Sequence, residues 1–71
     1  MRELFTTLHY LESNDVLNIL RNNHIDRCLR EERRENGLRY CIYVHAKDLD
    51  RSAELVNDGL SELESERRGE S

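Results

Sequence analysis

The side chains best suited to chemistry in this 71-residue chain are two cysteines, Cys28 and Cys41, and three histidines, His9, His24 and His45. Nucleophilic catalysis needs a thiol or hydroxyl within hydrogen-bond reach of a base, and a third group to orient that base. Cys41 and His45 are four residues apart. On a strand they share a face but stand about 13 Å from each other, too far to touch. Cys28, on a neighbouring strand, can face either of them. A closed zinc site takes four ligands, and no CxxC or Cys/His run of suitable spacing is present. Both cysteines therefore read as small apolar residues within strands, reduced thiols of a cytoplasmic chain. A disulfide across a hairpin, or a metal site recruiting a histidine, is the alternative. The only glycines are Gly37, Gly59 and Gly69, so no glycine-rich phosphate loop exists. No catalytic residue, cofactor or metal is expected, and the chain reads as non-enzymatic.

Charge narrows the partners. The chain is 37% hydrophobic and 37% charged, with a formal net charge of −4. An acidic total argues against a dedicated nucleic-acid binder, which needs unpaired Lys and Arg facing phosphates. Residues 21–39 are nevertheless net positive, through Arg21, Arg27, Arg30, Arg33, Arg34 and Arg39, whereas residues 47–66 are strongly acidic. The stretch Arg30-Glu31-Glu32-Arg33-Arg34-Glu35 reads as a self-neutralising solvated loop; the sharper alternative is a basic hook that meets the acidic C-terminal helix of another copy. No apolar run is long enough to span a membrane, and the opening MRELFTTLHYLES lacks the apolar core of a secretory signal.

These groups need elements to position them. Residues 2–7 look like a first strand, with Leu4 and Thr6 on one face and Phe5 and Thr7 on the other. Thr7 is the expected N-cap of a helix over about 8–22, whose stripe is Leu11, Val16, Leu17 and Leu20, and which Asn22-Asn23 should stop. Residues 24–30 read as an edge strand with Ile25 as its core residue and room for a bulge. Residues 31–37 read as a polar loop ending in the turn dipeptide Asn36-Gly37. Residues 38–45 give the strongest strand signal. Tyr40-Cys41-Ile42-Tyr43-Val44 is an unbroken run with no polar alternation, which places it in the middle of a sheet. Asp48 should cap a second helix over about 49–63, whose stripe is Leu49, Ala53, Val56, Leu60 and Leu63.

The order strand–helix–strand–strand–helix, with a right-handed crossover, predicts an α+β fold. It is a βαββα split βαβ arrangement, a truncated ferredoxin-like two-layer sandwich. Its three-stranded mixed sheet has order 1-3-2, with both helices on one face. Residues 1–64 form the single domain and 65–71 a flexible polar C-terminal tail. A domain of this size holds on the order of 3–5 kcal/mol from its core, so either a marginal monomer or a chain that gains stability by self-association is expected.

Glu12-Ser13, Val16, Leu20 and Ile25, the Ile42-Tyr43-Val44 strand and the segment from His45 through Leu55 together resemble a small prokaryotic family described as signal-transducing, with a fold similar to nitrogen-regulatory P-II proteins. The likeness spans about residues 2–63. It departs at Ser13, where the family has Ala; at His24, where it has Gly; and at Asp26, where it commonly has Pro. The resemblance implies a dimeric binding or regulatory module and carries over no catalytic residue.

The expected function is a small regulatory or protein-interaction module that self-associates, or binds a protein partner, through a free sheet face or edge. Tyr40 and Tyr43 are the expected interaction face, although alternation alone leaves open which face each occupies. The alternative is a small anion sensor using Arg27, Arg39 and His45, because a strand end beside a helix N-terminus attracts anions.

Overall fold

The structure, a computed structural model, describes residues 1–69, with side chains described through Glu66. Glu70, Ser71 and the side chains of 67–69, which belong to the expected tail, lie outside the described residues. The chain runs β1 (Arg2–Thr7), α1 (Tyr10–Asn22), β2 (Arg27–Arg34), β3 (Gly37–Val44), a 3₁₀ turn (Ala46–Asp48) and α2 (Leu49–Gly69). The sheet order is β1-β3-β2. The outer strands share one direction and β3 opposes both, so each hydrogen-bonded pair is antiparallel. Both helices lie on one face, giving the expected βαββα sandwich, a slab of 35 × 32 × 15 Å.

The core lies between the helices and β3. Val16 and Leu20 of α1, Ile25, Ile42 and Val44 of β3, and Val56 of α2 are buried together. The central position of Tyr40–Val44 follows from its lack of alternation: Cys41, Ile42 and Val44 are all fully buried. Ile42 and Val44 are buried against the helices, and Cys41, on the other face, is buried without an element packed over it.

Local details depart from expectation for physical reasons. In β1 the pairing register slips between Glu3 and Phe5. This bulge turns both Leu4 and Phe5 onto the core, although strict alternation would separate them. The expected bulge in the second strand is instead here. Thr7 does not cap α1; its Oγ1 accepts the His9 N–H at 3.1 Å, and His9 is the N-cap. Leu11 stays exposed, and Ser13 takes its place in the buried stripe, its hydroxyl donating to the Tyr10 carbonyl at 2.6 Å. On α2 the buried small residue is Ser52, one position before the expected Ala53.

Helix α1 ends in a Schellman motif. The Ile25 N–H donates to Leu20 O at 3.0 Å and the His24 N–H to Arg21 O at 3.1 Å. The left-handed residue is His24, with φ 57°, rather than Asn23. Ile25 is therefore buried as the apolar residue of this cap, before β2 begins. Strand β2 starts later than the sequence suggests and runs through Arg34, absorbing most of the expected loop. Its turn is Glu35-Asn36, followed by Gly37 at φ 116°, a conformation natural to glycine. Helix α2 continues beyond Leu63, where its apolar stripe ends, to Gly69.

Candidate functional site: the open sheet face

The pairing registers and the pleat assign each strand residue to a face. Ile42 and Val44 sit in the core with Tyr40 on the same side, so Arg39, Cys41 and Tyr43 point to the opposite side. Cross-strand partners share a face. Cys28 is therefore beside Tyr43, Arg30 beside Cys41 and Glu32 beside Arg39, with Arg34 next along β2. From β1, Glu3 pairs with Tyr43 and Thr6 with Cys41. No described element of the chain covers this face.

The side chains there form a connected layer. The Arg30 guanidinium carbon lies 5.7 Å from the Tyr43 ring centroid, within cation–π range. Arg34 Nη2 meets Glu32 Oε2 at 2.9 Å. Thr6 Oγ1 donates to Glu3 Oε1 at 2.6 Å. The Arg34 guanidinium holds the Glu32 carboxyl below the usual carboxylate range, and Arg30 and the Tyr43 hydroxyl act in the same direction. Partial desolvation, then the Glu32 charge, push the Tyr43 hydroxyl above the ordinary tyrosine value. Beneath these groups Cys41 is fully buried even though it points to the uncovered side, as expected where long charged side chains lie flat over an apolar floor. Cys28 is exposed rather than packed. With Met1, Arg30 and Tyr43 it lines a shallow hollow of about 270 Å³.

The candidate residues named from sequence are only partly brought together. Tyr43 is central to the open face. Tyr40 is on the helix side, its ring edge-to-face with Tyr10 at 5.6 Å between centroids, because residues three apart on a strand cannot share a face. Arg27 and His45 sit at one end of the sheet. The Arg27 guanidinium donates to the Ile25 carbonyl at 3.4 Å, and His45 Nε2 lies 3.5 Å from Asp26 Oδ2. Arg39 is six residues from His45 along β3, about 20 Å away. These three do not converge on one anion.

Glu32 and Arg34 were hidden by falling in the expected loop, and Arg30 by standing at the last position of the expected edge strand. Their signal is the alternation Cys28, Arg30, Glu32, Arg34 running into a two-residue turn. Two other depressions lie on the helix side. A groove of about 580 Å³ between the start of α1 and the later part of α2 is lined by Leu11, Leu60 and Leu63 with acidic neighbours. A smaller one, about 220 Å³, lies between β1 and α2. Among the described residues, no group of three His, Cys, Asp or Glu is placed to hold a metal ion, and no helix is long and apolar enough to cross a membrane.

No family model, curated protein or solved structure matches the chain. What the structure shows is a small βαββα, ferredoxin-like topology; no sequence match ties the chain to the P-II-like family.

Proposed function

We propose that this chain is a small, non-enzymatic protein-interaction module with a regulatory role, and that the open sheet face, together with the adjoining edge of β2, is its working surface. The observation that supports the reading is the placement of both helices on one side of a three-stranded sheet. The other side is left to Tyr43, Arg30 and their neighbours. Tyr and Arg are the residue types that anchor protein interfaces, because each offers a large, semi-rigid contact area with a polar end. Tyr43 is already held by Arg30, so docking onto it costs little additional ordering. The flanking Glu32, Arg34 and Arg39 supply a charged rim that sets orientation and rejects mismatched partners. A role in cytoplasmic signalling, suggested by the family resemblance, belongs to this same proposal.

The reading is tested by capture from a cell extract with wild-type chain, with Tyr43→Ser, and with the helix-layer control Glu54→Gln. A protein held by the wild type and the control but released by Tyr43→Ser supports it. Capture indifferent to Tyr43, or none at all, counts against it.

A further inference from the structure

The sheet leaves its open face and the outer edges of β1 and β2 uncovered, and the open face and the longer, unbulged β2 edge differ in what they accept. The open face carries Glu3, Arg30, Glu32, Arg34 and Arg39 around Tyr43. Stacking it face to face on another sheet would strip water from all these charges. The outer edge of β2 is different. It is eight residues long, every residue but Glu32 is exposed, and its outward backbone N–H and C=O groups have no strand to pair with.

Edges are commonly guarded by charge, and a guard of one sign would repel a second copy in every register. Strand β2 instead alternates signs along Arg27-Cys28-Leu29-Arg30-Glu31-Glu32-Arg33-Arg34. Two copies joined edge to edge about a two-fold axis normal to the sheet must keep faces continuous, so each residue meets one of its own parity. Three central registers satisfy this. Centred on Arg30, the strand sets Arg30 against the partner's Arg30 and Arg33 against the partner's Arg27. Centred on Glu32, it sets Glu31 against the partner's Arg33 twice, but also Arg30 against the partner's Arg34 twice and Glu32 against the partner's Glu32, so repulsive pairs outnumber attractive ones. Centred on Glu31, it sets Arg30 against the partner's Glu32 twice, once on each side of the axis. Only Glu31 then meets its own kind, and the partner's Arg33 lies diagonal to it within reach of a long side chain.

Resting on the reading of the sheet layer as an interaction surface, we propose that the chain pairs with a second copy of itself through the edge of β2, in the register centred on Glu31, forming a continuous six-stranded sheet. The symmetry explains a second feature. Leu29 is 36% exposed on the helix side of β2, and α1 contacts β2 as well as β1 and β3. In the pair, α1 of each copy flanks the axis, and Leu29 sits between them under cover. A two-strand seam is small for a specific interface, so the pair is concentration-dependent and, being held partly by exposed charges, weakened by salt.

Sedimentation over micromolar to millimolar concentrations reads the assembly. The wild type is expected to pass from monomer to dimer. Arg30→Glu and Glu32→Arg each replace two attractive pairs by two repulsive ones and should weaken dimerisation by about tenfold or more. Mixed in equal amounts, the two variants restore opposite charges at both pairs and should dimerise with each other; because both must be folded to do so, the mixture also controls for folding. Glu31→Cys in a Cys28→Ser background places one thiol against its copy at the axis and should form an intermolecular disulfide in air, whereas Arg33→Cys should not. A wild type monomeric throughout, dimerisation indifferent to Arg30→Glu, or a variant mixture that stays monomeric overturns the proposal. If such a monomer still captures a protein through Tyr43, only the second copy is lost; if capture fails too, the reading of the sheet layer falls with it.

Discussion

Gly59 of α2 approaches Ile19 of α1 so closely that a Cβ on the glycine would stand 2.5 Å from the isoleucine Cδ1 and 2.9 Å from its Cγ1. Glycine in a helix interior costs about 1 kcal/mol against alanine, so its presence here reflects packing between the helices. Gly59→Ala sets that propensity gain against an overpacking cost of about 1–3 kcal/mol, and the net expectation is destabilisation by about 1 kcal/mol. In an Ile19→Ala background the clash is gone and the same substitution should stabilise. Urea midpoints of the four proteins give the coupling; a Gly59→Ala effect of the same sign in both backgrounds would show that the close approach is not the reason for the glycine.

His24 holds the left-handed position of the α1 cap at φ 57°. A side chain with a Cβ is strained there, although His tolerates it better than most. His24→Gly should raise stability by about 0.5–1 kcal/mol, the strain relieved exceeding the added freedom of the unfolded chain. His24→Val should lower it, since β-branching makes the conformation still worse. Thermal or urea unfolding checks both, and equal effects of Gly and Val would remove the strain from the account.

The layout of the fold was legible because its strongest signal, the unbroken run Tyr40–Val44, fixed which strand is central and thereby the order 1-3-2. The helix stripes were legible at Val16, Leu20 and Val56 for the same reason: burial imposes a period. Where neither face is covered, burial imposes none. Strand β2 is such a case; its residues Glu31 to Arg34 look like loop because backbone pairing with β3 and contacts such as Arg34–Glu32 hold them. The candidate site was half legible. Tyr43 was named, but a run apolar on both sides does not say which parity faces the helices, and so Tyr40 was grouped with it. Parity became fixed only once Ile42 and Val44 were seen against α1 and α2. Ser13 and Ser52, both fully buried, were not legible as core because a hydroxyl breaks the apolar pattern by which core positions are read.

Two leucines of α1 separate pattern from burial. Leu20 is fully buried, whereas Leu11, on the expected stripe, is 75% exposed. Leu20→Ala should cost about 2–5 kcal/mol, comparable to the whole stability of a domain this size, and leave the chain largely unfolded in far-UV circular dichroism at room temperature. Leu11→Ser should change stability by no more than about 0.5 kcal/mol. A large loss with Leu11→Ser would mean that the groove beside it is filled by a partner or a second copy in solution.

Glu32 links the site to pH. Arg34, hydrogen-bonded at 2.9 Å, is the main cause of its lowered pKa. Because the folded value lies below the unfolded one, Glu32 contributes stability that is fully present above the ordinary glutamate value and is lost as pH falls through the folded value. Arg34 is exposed and Glu32 only half-buried, so the contribution is small and shrinks with salt. Titration of the Glu32 carboxyl carbon by NMR should give a midpoint below the ordinary glutamate value. Arg34→Gln should move that midpoint upward while leaving the fold intact. In the proposed pair the partner's Arg30 adds a further cation, beyond Arg34 and the chain's own Arg30, opposite Glu32, so the midpoint should fall further as protein concentration rises. A midpoint unmoved by Arg34→Gln would show that the ion pair does not persist in solution.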